Sequence, residues 1–526
     1  MFRSGRWILP ALVATTVVAG ACSDDDDPVD TTPDAPAAPV NVVVTEQDGD
    51  LMVSWGASTG ADSYTVQRQV ASSGSSFSTL AADLTATTYT DMTAAEGTGY
   101  NYRVIAIGEG GQSNPSDPAY GEIGVRAAVL GGTITGTRQL SADTTYTIAG
   151  LVIVEDGGEL RIPAGTTLLG STTVQPSAVI VRQGGQLYSE GTAAAPVVFT
   201  SDKVNGTPGR GDWGGVVLNG RSICNFPAGE CVGEGNSGPY GGDQLDDNSG
   251  RIVYTRIEYA GYEVSFGNEL NALTLNGVGS ETEIHHVQTH FGSDDGFEWF
   301  GGTVNAKYLL ATGISDDSFD YSTGWQGKGQ FWIAQQDPND ADNGFEVDGN
   351  EDNFDNTPYT EPTLFNITLI GKGPNGTGGT SGESTAGMLH RRGTGGQLNN
   401  IIVMGFERGL DIDNAETVAR IGTGNFALQN SIIFSNAVNF DGDGDGIDEQ
   451  AIFNTAGWNN REVDPGLTNP FDRSNPDFRP AAGSAATTGA ASVPAGDDFF
   501  TAVDFVGAVG PGAEEWYKGW TRLTAN

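Results

Sequence analysis

Between about residues 37 and 124, apolar side chains recur at every second position in short runs. LMVSWGA carries Trp55, DSYTVQRQV carries Tyr64 and Val66, TTYTDM carries Tyr89, and GYNYRVIAIGEGGQSNPS carries Tyr100, Tyr102 and Val104. A period of two buries one face of each run, which predicts a set of short β-strands. From about residue 125 the pattern becomes a repeat. Aligning Val154 with Val181 superposes VEDGGELRI on VRQGGQLYS at an offset of 27. Self-similarity at 20–30 residues marks a solenoid.

Later strings extend the repeat. Phe297, Phe319 and Phe345 open FEWF, FDYS and FEVD at offsets of 22 and 26. Leu273 in LTLN precedes Phe297 by 24 residues; Met388 in MLHRR follows Phe345 by 43, one rung plus two Gly/Asn-rich loops, and Leu410 in LDID follows 22 later. In a strand, the first and third residues of each string share one face and the second and fourth the other. The expected inward pairs are Phe297/Trp299, Phe319/Tyr321, Phe345/Val347, Met388/His390 and Leu410/Ile412, with His390 a satisfied core histidine. The expected outward column is Thr274, Glu298, Asp320, Glu346, Leu389 and Asp411. Rungs of about 22 residues, each with three short strands, meet the needs of a parallel β-helix.

Composition agrees with this reading. The 526 residues include 77 glycines and four histidines, and only 17% are charged, a turn-rich all-β profile. The net charge of −42 repels phosphate backbones and excludes nucleic acid as a partner, while it attracts divalent cations.

The N-terminus carries Arg3 and Arg6, the apolar WILPALVATTVVAG, then AGAC ending at Cys22 and the acidic SDDDDPVDTTPDAPAAP. The apolar run is too short for a comfortable membrane span. The arrangement resembles a bacterial lipoprotein signal, with Ala19 standing where a larger aliphatic is usual. It implies a signal peptide over 1–21, lipidation at Cys22, a disordered tether over 22–36, and an exported chain held at the outer membrane or cell surface. An ordinary secretory signal is the alternative. Cys224 and Cys231 are a local pair in an exported chain and are expected to form a disulfide.

Residues 37–124 resemble a fibronectin type III domain. Trp55 stands in the second strand, TGYNYRVIA and GQSNPS match the penultimate strand and its exit, and Tyr100 occupies the tyrosine-corner position. The resemblance implies a spacer or binding module. Residues 125–526 resemble secreted bacterial right-handed parallel β-helix proteins, through GGELRIPAGTTL, GDWGGVVLNG, IVYTRIEYAGYE, SDDGFEWFGGTVNAKYL and the terminal NPDFRPAAGSAATTGA. The wider superfamily includes pectate lyases and polygalacturonases, but their Gly-His-Gly, Arg-Ile-Lys and catalytic-arginine patterns are not matched. The fold alone therefore does not carry the activity over.

Carboxylates in register, about 4.8 Å apart on adjacent rungs, repel one another. Asp294, Asp295, Asp316, Asp317, Glu298 and Asp320 form one candidate cation site, and oxygen-only ligands favour Ca²⁺. The alternatives are turn-capping aspartates, or a catalytic cluster of Asp295, Asp317 and Glu298, with His290 paired to Asp294 and Arg391 gripping a sugar carboxylate. DGDGDGIDEQ supplies a second Ca²⁺ candidate, with Asp441, Asp443, Asp445, Asp448 and Glu449 wrapping one ion. Trp325 and Trp332 are candidate sugar-stacking rings. The reading is a non-catalytic surface protein that binds polysaccharide or another envelope component through an acidic face. A polysaccharide lyase or glycoside hydrolase is the alternative, and a purely structural adhesion protein is the third.

Overall fold

The computed structural model describes residues 33–524 apart from 48, 73, 125, 204–206, 228–230 and 443. The signal segment and Cys22 lie outside the described residues.

The alternating runs near the N-terminus form a two-sheet antiparallel sandwich. Val43–Gln47, Asp50–Ser54 and Thr88–Asp91 make one sheet. Ser63–Val70, Ser78–Leu84, Tyr100–Gly108, Gly111–Gln112 and Ala119–Gly121 make the other. Trp55 packs edge-on against Tyr64 at 5.4 Å between ring centroids. The Tyr100 hydroxyl accepts the Ala95 N–H at 3.1 Å, the local bond that defines a tyrosine corner.

Beyond it, 24 strands among the described residues join one sheet whose pairings are parallel from coil to coil. The inward columns stack in the expected register. Leu273, Phe297, Phe319, Phe345, Met388 and Leu410 follow one another. Leu275, Trp299, Tyr321, Val347, His390 and Ile412 form the neighbouring column. Phe297 stacks on Phe319 at 5.4 Å, and Trp299 on Trp332 at 5.1 Å with 4° between planes. Each ring sits out of water, a contribution of about 1.5–3 kcal/mol per large side chain. This is why most inward positions of these rungs are apolar or aromatic.

A second column sets the corners. Tyr254, His286, Tyr308, Phe331, Asn366 and Asn400 all adopt positive φ, between 45° and 61°. Left-handed backbone at the same place in successive coils bends each long strand around the solenoid. The C-terminal segment runs back along this corner. Asn366 Nδ2 donates to Phe505 O at 2.9 Å, Asn400 Nδ2 to Ala491 O at 3.2 Å, and Lys307 Nζ to Phe499 O at 2.8 Å.

Candidate acidic site on the β-helix face

The acidic phrases occupy a turn and the strand that follows it. Two residues before each inward aliphatic or aromatic stand Asn271, Asp295, Asp317 and Asn343. Their side chains form a ladder. Asn271 Oδ1 accepts the Asp295 N–H at 3.1 Å, Asp295 Oδ1 the Asp317 N–H at 3.0 Å, Asp317 Oδ1 the Asn343 N–H at 2.6 Å, and Asn343 Oδ1 the Ala386 N–H at 3.1 Å. One oxygen per rung therefore satisfies the next rung's backbone, and Asn and Asp serve this equally.

The second side-chain atom separates the two residue types. Asn271 Nδ2 donates to Glu298, and Asn343 Nδ2 donates to Glu346 at 3.2 Å. An amide at these rungs answers the outward glutamate. Asp295 and Asp317 instead turn a second oxygen toward further carboxylates. Asp295, Glu298 and Asp320 each bring an oxygen within 4.8 Å of the others, as do Asp317, Asp320 and Glu346. The outward column is continuous, with Glu298 beside Asp320 and Asp320 beside Glu346. Asp294, Asp295 and Asp316 converge in the same way, as do Asp316, Asp317 and Asp342.

Burial sharpens the repulsion. Asp295, Glu298 and Asp317 are 6%, 6% and 4% exposed. Desolvation, then the Glu298 charge, holds the Asp295 carboxyl well above the usual carboxylate range. Desolvation and Glu234 do the same to Glu298, and desolvation and Glu346 to Asp317 and Asp320. Asp294 is pushed up to about 8 by burial and then by Asp316, and Asp316 to about 6 by burial and then by Asp342. Asp320 Oδ1 is buried without a hydrogen-bond partner.

A cleft of about 360 Å³ opens onto Glu298 and Asp320. Glu234, Tyr240, Val232 and Phe226 form one wall. The Cys224–Cys231 disulfide pins this wall. Asp348, Glu351 and Arg392 also line the cleft. Burial and the neighbouring Glu269 push Glu234 up to about 7. The cleft wall was not read from the sequence, because Glu234 and Tyr240 belong to no repeating rung. The ladder was legible in principle, since Asn, Asp, Asp and Asn fall at one register position.

Other expected site residues lie elsewhere. Trp325 and Trp332 are fully buried, their indole N–H groups donating to Val304 O at 3.2 Å and Ala306 O at 3.0 Å, so neither offers a face to a sugar. His290 does not pair with Asp294. It is enclosed, with Nδ1 2.7 Å from Thr312 Oγ1 and with Glu258, Arg256 and Arg522 as charged neighbours. His390 lies in the core, but neither ring nitrogen has a partner, so it is not a satisfied histidine. Arg391 is committed to acids, with Nε 2.7 Å from Asp348 Oδ1 and a guanidinium nitrogen on Glu346. Arg392 Nη1 lies 2.6 Å from Asp348 Oδ2.

In the acidic loop, the described aspartates bond to the turn's own backbone and to Arg408. Asp443 lies outside the described residues. Asp445 Oδ1 accepts the Ile447 N–H and Asp448 Oδ1 accepts the Ala451 N–H, capping the helix Glu449–Phe453. Asp441 faces Arg408 at 3.5 Å and Glu449 is buried. Among the described residues, no three of these carboxylates converge as the ladder residues do.

A stacked parallel coil with a cleft on one face, preceded by an antiparallel sandwich, defines the class of protein. Residues 132–472, well over half of the chain, match the Pectate-lyase like beta helix domain, and the chain belongs to that family. Residues 35–122 match the Fibronectin type III domain. Among curated proteins, an amylopullulanase of Thermoanaerobacterium thermosulfurigenes is 35% identical over 109 residues, 20% of this chain and 6% of that protein. The chain thus spans a small part of that relative's length. A solved Fn3-like protein from Clostridium thermocellum is 33% identical over 17% of this chain and 92% of its own, with a TM-score of 0.15. A pectate lyase from Pectobacterium carotovorum is 12% identical over 71% of this chain and 86% of its own, with a TM-score of 0.14.

Proposed function

We propose that this chain is an exported, lipid-anchored surface protein that binds an acidic polysaccharide through Ca²⁺ held on the β-helix ladder, without cleaving it. The observation that carries the reading is the pair Asp295 and Asp317. Asparagine at these two rungs would preserve every ladder bond to backbone and would answer the neighbouring glutamates, as Asn271 and Asn343 do. Carboxylates there raise the electrostatic cost of folding and add oxygen ligands only. The donor set fits Ca²⁺, a hard cation that takes 6–8 oxygens. A triad of carboxylates supplies part of that shell and leaves positions for ligand oxygens.

The reading without cleavage is supported by the histidine and arginine candidates. His290 and His390 are enclosed, and Arg391 and Arg392 are paired to Asp348. Attachment through Cys22 rests on the lipoprotein-like N-terminus alone.

The test is retention of the full chain on a panel of acidic and neutral glycans with Ca²⁺ or chelator, with reducing ends and absorbance at about 235 nm followed in parallel. Ca²⁺-dependent retention on acidic glycans without new chain ends is expected. Product formation that disappears in Asp295→Asn or Asp317→Asn would replace the binding reading with hydrolysis or elimination.

A further inference from the structure

On the C-terminal-segment side of the solenoid, a second cavity of about 460 Å³ lies apart from the acidic cleft and is lined by Glu283, His285, His286, Lys307, Tyr308 and Phe499, among others. The chain holds four histidines, and two of them meet here. Adjacent residues in an extended strand point to opposite faces. His286, however, sits at the left-handed corner with φ 53°. The two rings therefore converge, with His285 Nδ1 2.9 Å from His286 Nδ1.

Three features prepare this pair. Glu283 Oε1 lies 3.1 Å from His285 Nε2, and its other oxygen holds Arg251 Nε at 2.7 Å. With Glu283 as the acceptor at His285 Nε2, the Nδ1–Nδ1 contact is a hydrogen bond that His286 donates, and an ion bound by the two nitrogens takes the place of that proton, which passes to His286 Nε2 or to solvent. A carboxylate on the distal nitrogen is the usual outer partner of a metal-ligating histidine. The His286 ring is clamped between Tyr254 at 4.3 Å and Tyr308 at 4.4 Å. The nearby cations are occupied, Arg251 by Glu283 and Glu190, and Lys307 by Phe499 O and Thr501 Oγ1.

We propose that His285 and His286 form a two-nitrogen chelate for a late first-row transition-metal ion, copper(II) being the best fit. With metal–nitrogen bonds of about 2.0–2.1 Å, nitrogens 2.9 Å apart subtend about 90° at the ion. That is a cis angle of a tetragonal site, and it is too narrow for a tetrahedral one. Tetragonal nitrogen and oxygen sites select Cu(II) or Ni(II), and Cu(II) binds more tightly. Both rings line the cavity, which leaves room for further ligands. The site is independent of the acidic ladder, which offers oxygen alone.

The test titrates the full, tag-free chain with Cu²⁺ and reads electron paramagnetic resonance. His290 and His390 are enclosed, so nitrogen splitting reports on this pair. A bound Cu²⁺ split by two nitrogens is expected. His285→Gln and His286→Phe, the latter keeping the ring stack, should each leave one nitrogen and weaken binding about tenfold or more. Glu283→Gln should keep both nitrogens and weaken binding about 10–100-fold. The Asp295→Asn/Asp317→Asn chain should keep the two-nitrogen signal. An oxygen-only or one-nitrogen spectrum in the parent chain overturns the proposal. So does a two-nitrogen spectrum that persists in the His285→Gln/His286→Phe double variant.

Discussion

The backbone N–H of Asp317 donates to Asp295 Oδ1, one coil below, at 3.0 Å. The same bond is made from Asp295 to Asn271 at 3.1 Å. The fold needs one acceptor oxygen at this position and is indifferent to what the second atom is. The charge at Asp295 and Asp317 is therefore available for another purpose.

Replacing both aspartates tests this directly. Asp295→Asn/Asp317→Asn should raise the melting temperature in chelator near neutral pH, because it removes two carboxyls whose ionisation is opposed by burial and by neighbouring carboxylates. The parent chain should melt higher on addition of Ca²⁺, and the double variant should not respond. Thermal melts of both chains, with and without Ca²⁺, decide the matter. A variant that melts lower than the parent in chelator would mean that the carboxylates stabilise the coil.

The same cluster sets a pH dependence. Asp294, Glu234 and Asp316 have folded values of about 8, 7 and 6, against about 4 in an unfolded chain. Between about pH 4 and 8 the folded state binds more protons, so stability without Ca²⁺ should fall as pH rises through this window. Added Ca²⁺ should flatten the decline, since it binds the ionised carboxylates. Melting curves at several pH values, with chelator and then with Ca²⁺, check the slope.

His390 gives the opposite slope. Burial lowers its pKa to about 3, so below about pH 6.5 the unfolded chain takes up a proton that the folded chain refuses. Stability should fall as pH drops from there toward 3. His390→Leu, placed between Val347 and Ile412, should remove this histidine's share and leave those of His290 and His286. It should also stabilise the chain by about 1–3 kcal/mol, the usual cost of buried polar atoms left without partners. Chemical denaturation at pH 5 and pH 8 measures both effects.

Trp332 separates packing from recognition. Trp332→Ala should cost about 3–5 kcal/mol as a core truncation, whereas folded Trp332→Phe should retain glycan as the parent does. Reduced retention by a folded Trp332→Phe chain would restore a role in ligand contact.

The sequence alone determined the architecture, because in a β-helix each inward side chain meets its counterpart one coil away. Phe297, Phe319 and Phe345 announce their stacking through spacing, and the outward Glu298, Asp320 and Glu346 follow from the same register. Local alternation supplies both. It fails where the backbone turns left-handed. Phe331 at φ 61° interrupts the period of two, so Trp332 enters the core when its neighbourhood reads as a candidate sugar face. His286 does the same at φ 53° and brings two consecutive imidazoles together. The cleft wall also depended on tertiary structure, since Glu234 and Tyr240 reach Glu298 and Asp320 through a disulfide-pinned loop with no repeat of its own. In the acidic 441–449 loop, tertiary structure adds only local bonds, Asp445 Oδ1 and Asp448 Oδ1 each accepting a nearby backbone N–H. Repetition transmits contacts through spacing, whereas corner dihedrals and loop closure depend on neighbours far apart in the chain.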